Sequence, residues 1–209
     1  MNIIIFGAGA LGTYIGGLLS KNYKISLIGH GEHIRRIKEN GITLKGHHSG
    51  IFKVEASERI EHIPDKTLII LTVKAYDLMS ALKCIKSKIK GDTVFLLIQN
   101  GIGIKERAES IIRNEIIRCV TGIGSEIIYP GVVKTSWGKV VIENSKSSNE
   151  ILNIFIKSGF DARISEDIRK DEWLKLCINS FVNPLTAILR VKTYLLASSE
   201  LRNFVEQII

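Results

Sequence analysis

The first twelve residues constrain the fold more than any other stretch. Asn2-Ile3-Ile4-Ile5-Phe6 is an apolar run of strand length, Gly7-Ala8-Gly9-Ala10-Leu11-Gly12 follows at once, and a helical pattern continues to Leu19. A G-x-G-x-x-G spacing says little alone, but between a buried strand and a helix it describes one construction. Gly7 permits the tight turn, Gly9 removes the side chain that would block a pyrophosphate, and Gly12 lets the helix pack closely on the strand. The helix from Ala10 then turns its free N–H groups and positive dipole end toward the phosphates. Glycines also serve ordinary turns, but here the apolar strand before them favours a dinucleotide-binding unit.

Strands and helices alternate from there. Lys24–Ile28 reads as a second strand, Glu32–Glu39 as a short helix, and Gly41–Glu55 as extended pieces broken by Gly46-His47-His48-Ser49-Gly50, a hairpin. Strand Thr67–Val73, helix Asp77–Lys88, strand Thr93–Ile98, helix Ile104–Arg113 and strand Ile116–Thr121 follow. Buried apolar strands separated by helices indicate a parallel sheet with right-handed crossovers. Beyond Gly122, the runs Glu126–Tyr129, Val132–Ser136 and Lys139–Glu143 are short, alternating and split by Pro130-Gly131 and Gly138, which predicts an antiparallel meander. Ser147–Lys157 reads as helix, Ala162–Ser165 as a last strand, and everything from Asp167 as helical, including Ser198–Ile209. The expected architecture is α/β: a Rossmann-type doubly wound sheet with an antiparallel extension over residues 1–166, then the start of an all-helical domain over 167–209.

Charge and cysteine usage narrow the class. The net charge of +8 is spread along the chain and mixed with acids, as in Lys105-Glu106-Arg107, so it predicts a general attraction for anionic ligands and no nucleic-acid partner. No apolar run reaches the roughly 18 residues of a membrane helix, and the N-terminus lacks a signal peptide's basic start. Cys84, Cys119 and Cys177 are scattered, odd in number and without metal-ligand spacing, which points to the cytoplasm.

Three places can carry chemistry. At the tip of the second strand, Ile28 is followed by Gly29-His30-Gly31, with no acid to bind a ribose 2′-hydroxyl; Arg35 and Arg36 come one turn later. That favours NADP over NAD, unless His30 is a neutral turn residue and the arginines face water. Lys74-Ala75 and Gln99-Asn100-Gly101 end two parallel strands, where ligands of open α/β sheets bind, although a lysine there is as readily a solvated one and Asn-Gly a plain turn. In Trp173–Pro184, Lys175, Asn179 and Asn183 fall at i, i+4 and i+8, a polar stripe on an otherwise apolar helix. Such groups need partners if buried, whether a ligand or a neighbouring loop.

Taken together, these segments resemble the ketopantoate reductase (2-dehydropantoate 2-reductase) family. The resemblance rests on Gly7–Gly12, Val73-Lys74-Ala75, Gln99-Asn100-Gly101-Ile102-Gly103, and Trp173 with Lys175, Asn179 and Asn183-Pro184-Leu185-Thr186-Ala187. It implies NADPH-dependent reduction of 2-dehydropantoate to (R)-pantoate in pantothenate and coenzyme A biosynthesis, with the substrate between a Rossmann domain and a helical domain. Lys175 matches the family's catalytic lysine, and Asn100 matches the asparagine that holds nicotinamide and lysine in place. Asn179 and Asn183 match substrate-binding positions, and Lys74 matches a lysine of the cofactor site. His30 stands where relatives commonly carry an arginine for the 2′-phosphate. The family's helical domain continues for roughly another 90 residues past the equivalent of Ile209; that part carries a serine for the substrate carboxylate and an acidic site residue. The expectations are therefore a reductase present as fragment or truncation, a related oxidoreductase for another 2-oxo acid, or a non-catalytic dinucleotide-binding relative.

Overall fold

A computed structural model describes residues 1–197; the expected helix 198–209 lies outside them. The first half runs β1 (Asn2–Phe6), α1 (Ala10–Leu19), β2 (Ile25–Ile28), α2 (Gly31–Asn40), β3 (Ile42–Gly46), β4 (Gly50–Phe52), β5 (Glu55–Ser57), β6 (Thr67–Leu71), α3 (Leu78–Ile85), β7 (Val94–Leu97) and α4 (Ile104–Glu109). Then come β8 (Ile116–Thr121), β9 (Ser125–Tyr129), β10 (Val132–Thr135), β11 (Val140–Ile142), α5 (Ser148–Lys157), β12 (Ala162–Ile164), α6 (Ile168–Leu189) and a 3₁₀ turn, Thr193–Ala197.

The main sheet has eight strands in the order β12-β11-β8-β7-β6-β1-β2-β5. From β5 to β8 every pairing is parallel, so chain order runs outward from β1 in one direction and resumes at β6 in the other. This is the doubly wound arrangement, with its switch point between β1 and β6. The unbroken apolar run Ile3-Ile4-Ile5 follows from it, because both faces are covered. Ile3 and Ile5 pack with Ile15, Leu18 and Leu19 of α1, whereas Ile4 joins Ile69, Leu71, Phe95 and Leu97 on the opposite face.

Two expectations require correction. The predicted meander is divided between sheets: β9 and β10 form an antiparallel hairpin inside a separate four-stranded sheet, β4-β3-β10-β9, while β11 joins the main sheet antiparallel to β8 and parallel to β12. The chain crosses itself where the hairpin leaves and returns. A Cβ on Gly138 would lie 2.3 Å from the Gly122 carbonyl carbon, and Gly122 N–H donates to the Lys139 carbonyl at 3.0 Å. The second correction is β5, three residues that extend the main sheet beyond the hairpin. The remaining differences are at the ends of elements; β6 stops at Leu71, for example, because Thr72 turns its hydroxyl onto the Gly7 carbonyl at 2.6 Å.

The small sheet packs on α1, with Ile42, Leu44 and Val133 in one core with Ile15 and Leu18. Asp167 starts α6 by accepting the backbone N–H groups of Arg169 and Lys170 at 3.1 and 3.3 Å. One side of α6 lies on β8 and β11, while Trp173, Leu174, Ile178 and Ile188 are exposed. Among the described residues no helix is long and apolar enough to cross a membrane.

Candidate active site

The glycine turn is shaped by contacts that leave no freedom at two positions and full freedom at a third. Gly7 has φ +124°, and a Cβ there would lie 2.5 Å from the Val73 nitrogen. A Cβ on Gly12 would lie 2.1 Å from the Gly7 carbonyl oxygen, so α1 can approach β1 only without one. Around Gly9 a Cβ would meet nothing within 4 Å. Gly9 is the N-cap of α1 and supplies no side-chain hydrogen bond, leaving the helix's first N–H groups open toward that space. Ala8 and Leu11 pack against the core beside it. The turn is thus a backbone-lined cradle at the switch point.

His30 is exposed and begins α2 without a side-chain cap. Arg35 and Arg36 both bond to Glu32, Arg36 Nε at 3.0 Å, so the arginines expected near a 2′-phosphate rest on an acid one turn away. Lys74 is exposed on the turn after β6, where its carbonyl accepts the Asp77 N–H at 2.9 Å.

Asn100, Lys175 and Asn179 come together. They line one cavity of about 220 Å³ between the carboxyl ends of β7 and β8 and the second and third turns of α6. Asn183, one turn further along the predicted stripe, is exposed and does not line it. Burial holds the Lys175 amine below the usual lysine range. A larger groove, about 430 Å³, lies along β1, β2 and β5, but its charged lining is already engaged in part, with Lys24 on Glu55 at 2.9 Å.

Gln99, Arg118 and Glu172 also line the cavity and were not among the expected site residues. Gln99 donates to the Leu71 carbonyl at 2.9 Å, and its buried Oε1 has no partner among the described residues. Arg118 and Glu172 form an ion pair at 2.6 Å across the cavity wall. The signal for Arg118 lay in Ile116-Ile117-Arg118-Cys119-Val120, a charge inside a strand covered on both faces.

A sequence model of the family described as ketopantoate reductase PanE/ApbA matches residues 3–147, and the model of that family's C-terminal part matches 167–209. Among curated relatives, 2-dehydropantoate 2-reductase of Pyrococcus abyssi is 34% identical over 96% of this chain and 68% of its own length. The Pyrococcus horikoshii protein of the same name is 34% identical over 92% and 65%. This chain therefore spans about two thirds of those relatives. A PanE/ApbA family ketopantoate reductase from Ralstonia eutropha superposes with TM-score 0.85 at 27% identity, covering 99% of this chain and 70% of that one. A D-mandelate dehydrogenase solved with NADH and anilino(oxo)acetate superposes at 0.84 with 30% identity, covering 98% and 70%.

Proposed function

Because the chain belongs to the ketopantoate reductase PanE/ApbA family, we propose that it serves the NADPH-dependent reduction of 2-dehydropantoate to (R)-pantoate, within pantothenate and coenzyme A biosynthesis. The observation that carries this reading is the convergence of Asn100, Lys175 and Asn179 on one cavity at the carboxyl ends of parallel strands. A nicotinamide dinucleotide fits the residues present: the space at Gly9 is open, and the uncapped N-terminus of α1 faces it. Gly7-Ala8-Gly9-Ala10-Leu11-Gly12 would hold the pyrophosphate, His30 and Lys74 the phosphorylated ribose side, and Asn100 the nicotinamide side. The two units of this reading are a dinucleotide-binding domain over 1–166 and the beginning of a substrate domain over 167–209. Three free thiols, Cys84, Cys119 and Cys177, support a cytoplasmic setting.

When bound, the reduced cofactor supplies the hydride. The Lys175 ammonium hydrogen-bonds the ketone oxygen and gives it a proton as the carbonyl electron pair moves onto that oxygen. Burial makes the ammonium a better acid than a solvated lysine. Asn179, on the cavity wall, binds the hydroxyl and carboxylate side of the substrate, and the general positive charge favours an anionic acid.

A second reading, reduction of a different 2-oxo acid, draws on the 30% identity with the D-mandelate dehydrogenase. The test is nicotinamide oxidation with 2-dehydropantoate set beside other 2-oxo acids, and with NADPH set beside NADH. Preference for 2-dehydropantoate and NADPH is expected. Lys175→Ala should lower kcat by roughly 10²–10⁴-fold while dinucleotide binding persists. Preference for another oxo acid selects the second reading, and binding with no turnover, even in a chain extended past Ile209, selects a non-catalytic dinucleotide-binding module.

A further inference from the structure

Arg118 stands where the two walls of the cavity meet. It lies inside β8, 3% exposed, and its guanidinium divides among four oxygens. Nε donates to Glu172 Oε1 of α6 at 2.6 Å, one terminal nitrogen to the Leu97 carbonyl at 2.7 Å, and the other to the Gln99 and Gly101 carbonyls at 3.0 and 3.3 Å. The last two carbonyls bracket Asn100, and Glu172 precedes Lys175 by three residues. One planar cation therefore ties the loop that bears the amide to the helix that bears the amine. A lysine has no such fork.

The same bonds have an electrostatic effect. A Glu and a Lys three residues apart on a helix are ordinarily neighbours and attract. Here every acid in the first turns of α6 is engaged elsewhere. Asp167 caps the helix, Asp171 accepts from Arg163 at 2.6 Å and from the Ser165 hydroxyl at 2.5 Å, and Glu172 accepts from Arg118. Beyond β11, which also packs on α6, Glu143 accepts the Arg118 backbone N–H at 2.9 Å and Lys105 Nζ at 2.8 Å. In β8, Cys119 is pushed up to about 12 by burial, against the pull of Arg118, and stays neutral. Lys175 makes no ion pair among the described residues.

The geometry points to Arg118 as a positioning residue of the proposed reduction, one that sets Asn100 against Lys175 and withholds the Glu172 carboxylate from the Lys175 amine. This rests on Lys175 as proton donor, but its test needs no turnover, so the two can fail separately. The lysines of the chain are reductively methylated with ¹³C, and each dimethylamine is titrated by NMR, Lys175 being assigned by its loss in Lys175→Arg. In the unmodified sequence the Lys175 signal should titrate below the other lysines. Arg118→Met should raise its midpoint by about one pH unit, as expected for a carboxylate released beside it. The double variant Arg118→Met/Glu172→Gln should bring it back. Glu172→Gln alone, which keeps an acceptor for Arg118, should leave it unchanged. An unmoved midpoint in Arg118→Met, or a clear fall in Glu172→Gln, overturns the assignment. Should circular dichroism show Arg118→Met unfolded, the Glu172→Gln titration decides alone.

Discussion

Gly9 and Gly12, three positions apart, are glycines for opposite reasons. At Gly12 the surroundings forbid a side chain; at Gly9 they leave room for one, in the space beside the uncapped N-terminus of α1. Gly9→Val should therefore leave the melting temperature almost unchanged while abolishing dinucleotide binding, whereas Gly12→Ala should cost about 1–3 kcal/mol of stability, an overpacking penalty. Thermal melts and equilibrium dialysis on the two variants separate these outcomes. This contrast was legible in the chain because a strand, a glycine turn and a helix are consecutive residues. The stripe on α6 was legible for two of its members, Lys175 and Asn179, since helical spacing alone puts them on one face; Asn183, a turn past the last cavity-lining residue of α6, is exposed. The pairing of Arg118 with Glu172 was not legible. The arginine is conspicuous in its apolar strand, but its partner stands 54 residues later, and no local pattern connects them.

Between elements, His33 is the joint that sequence periodicity could not reveal. Its Nδ1 accepts the Gly131 N–H at 3.1 Å from the β9–β10 turn, which leaves the Nε2 hydrogen for the Thr13 hydroxyl of α1 at 3.0 Å. Protonation would put a hydrogen where Gly131 must donate, and burial already holds the imidazole below its ordinary value. The folded state thus prefers neutral His33. Its contribution to stability is complete above the unfolded value of about 6.5 and diminishes as pH falls from there toward the lower folded value. His48, lowered by burial and then by His47 and Lys21, acts in the same sense. Melting temperatures between neutral and mildly acidic pH should therefore fall less for His33→Gln than for the parent chain. An equal fall in both would remove the joint from this role. The divided meander belongs to the same scale. Alternation in Glu126–Tyr129 and Val132–Ser136 identifies strands, but which sheet receives them depends on the crossing at Gly122 and Gly138, a contact between backbones with no periodic trace.

Seen as a whole, the molecule is two sheets that share one helix. Much of the large sheet is assembled from strand–helix–strand units that close short loops, namely β1-α1-β2, β6-α3-β7, β7-α4-β8 and β11-α5-β12. The small one is not: β3 pairs in parallel with β10, Thr43 against Val132 and Leu44 against Val133, so the chain between them must be in place first. Contacts of such separation reward the chain only after the entropy of closing the loop has been met. Pulse-labelled hydrogen exchange during refolding should show amides joining β6 to β7 protected before those joining β3 to β10; simultaneous protection would refute this order. During synthesis the consequence is a waiting period. Ile42 and Leu44 leave the ribosome early, yet the strand that completes their shelter on the far side of α1 emerges only after six parallel strands have already been laid side by side. For that interval the nascent chain presents a greasy, half-finished edge, and anything that slows translation before Val132 lengthens its exposure to aggregation.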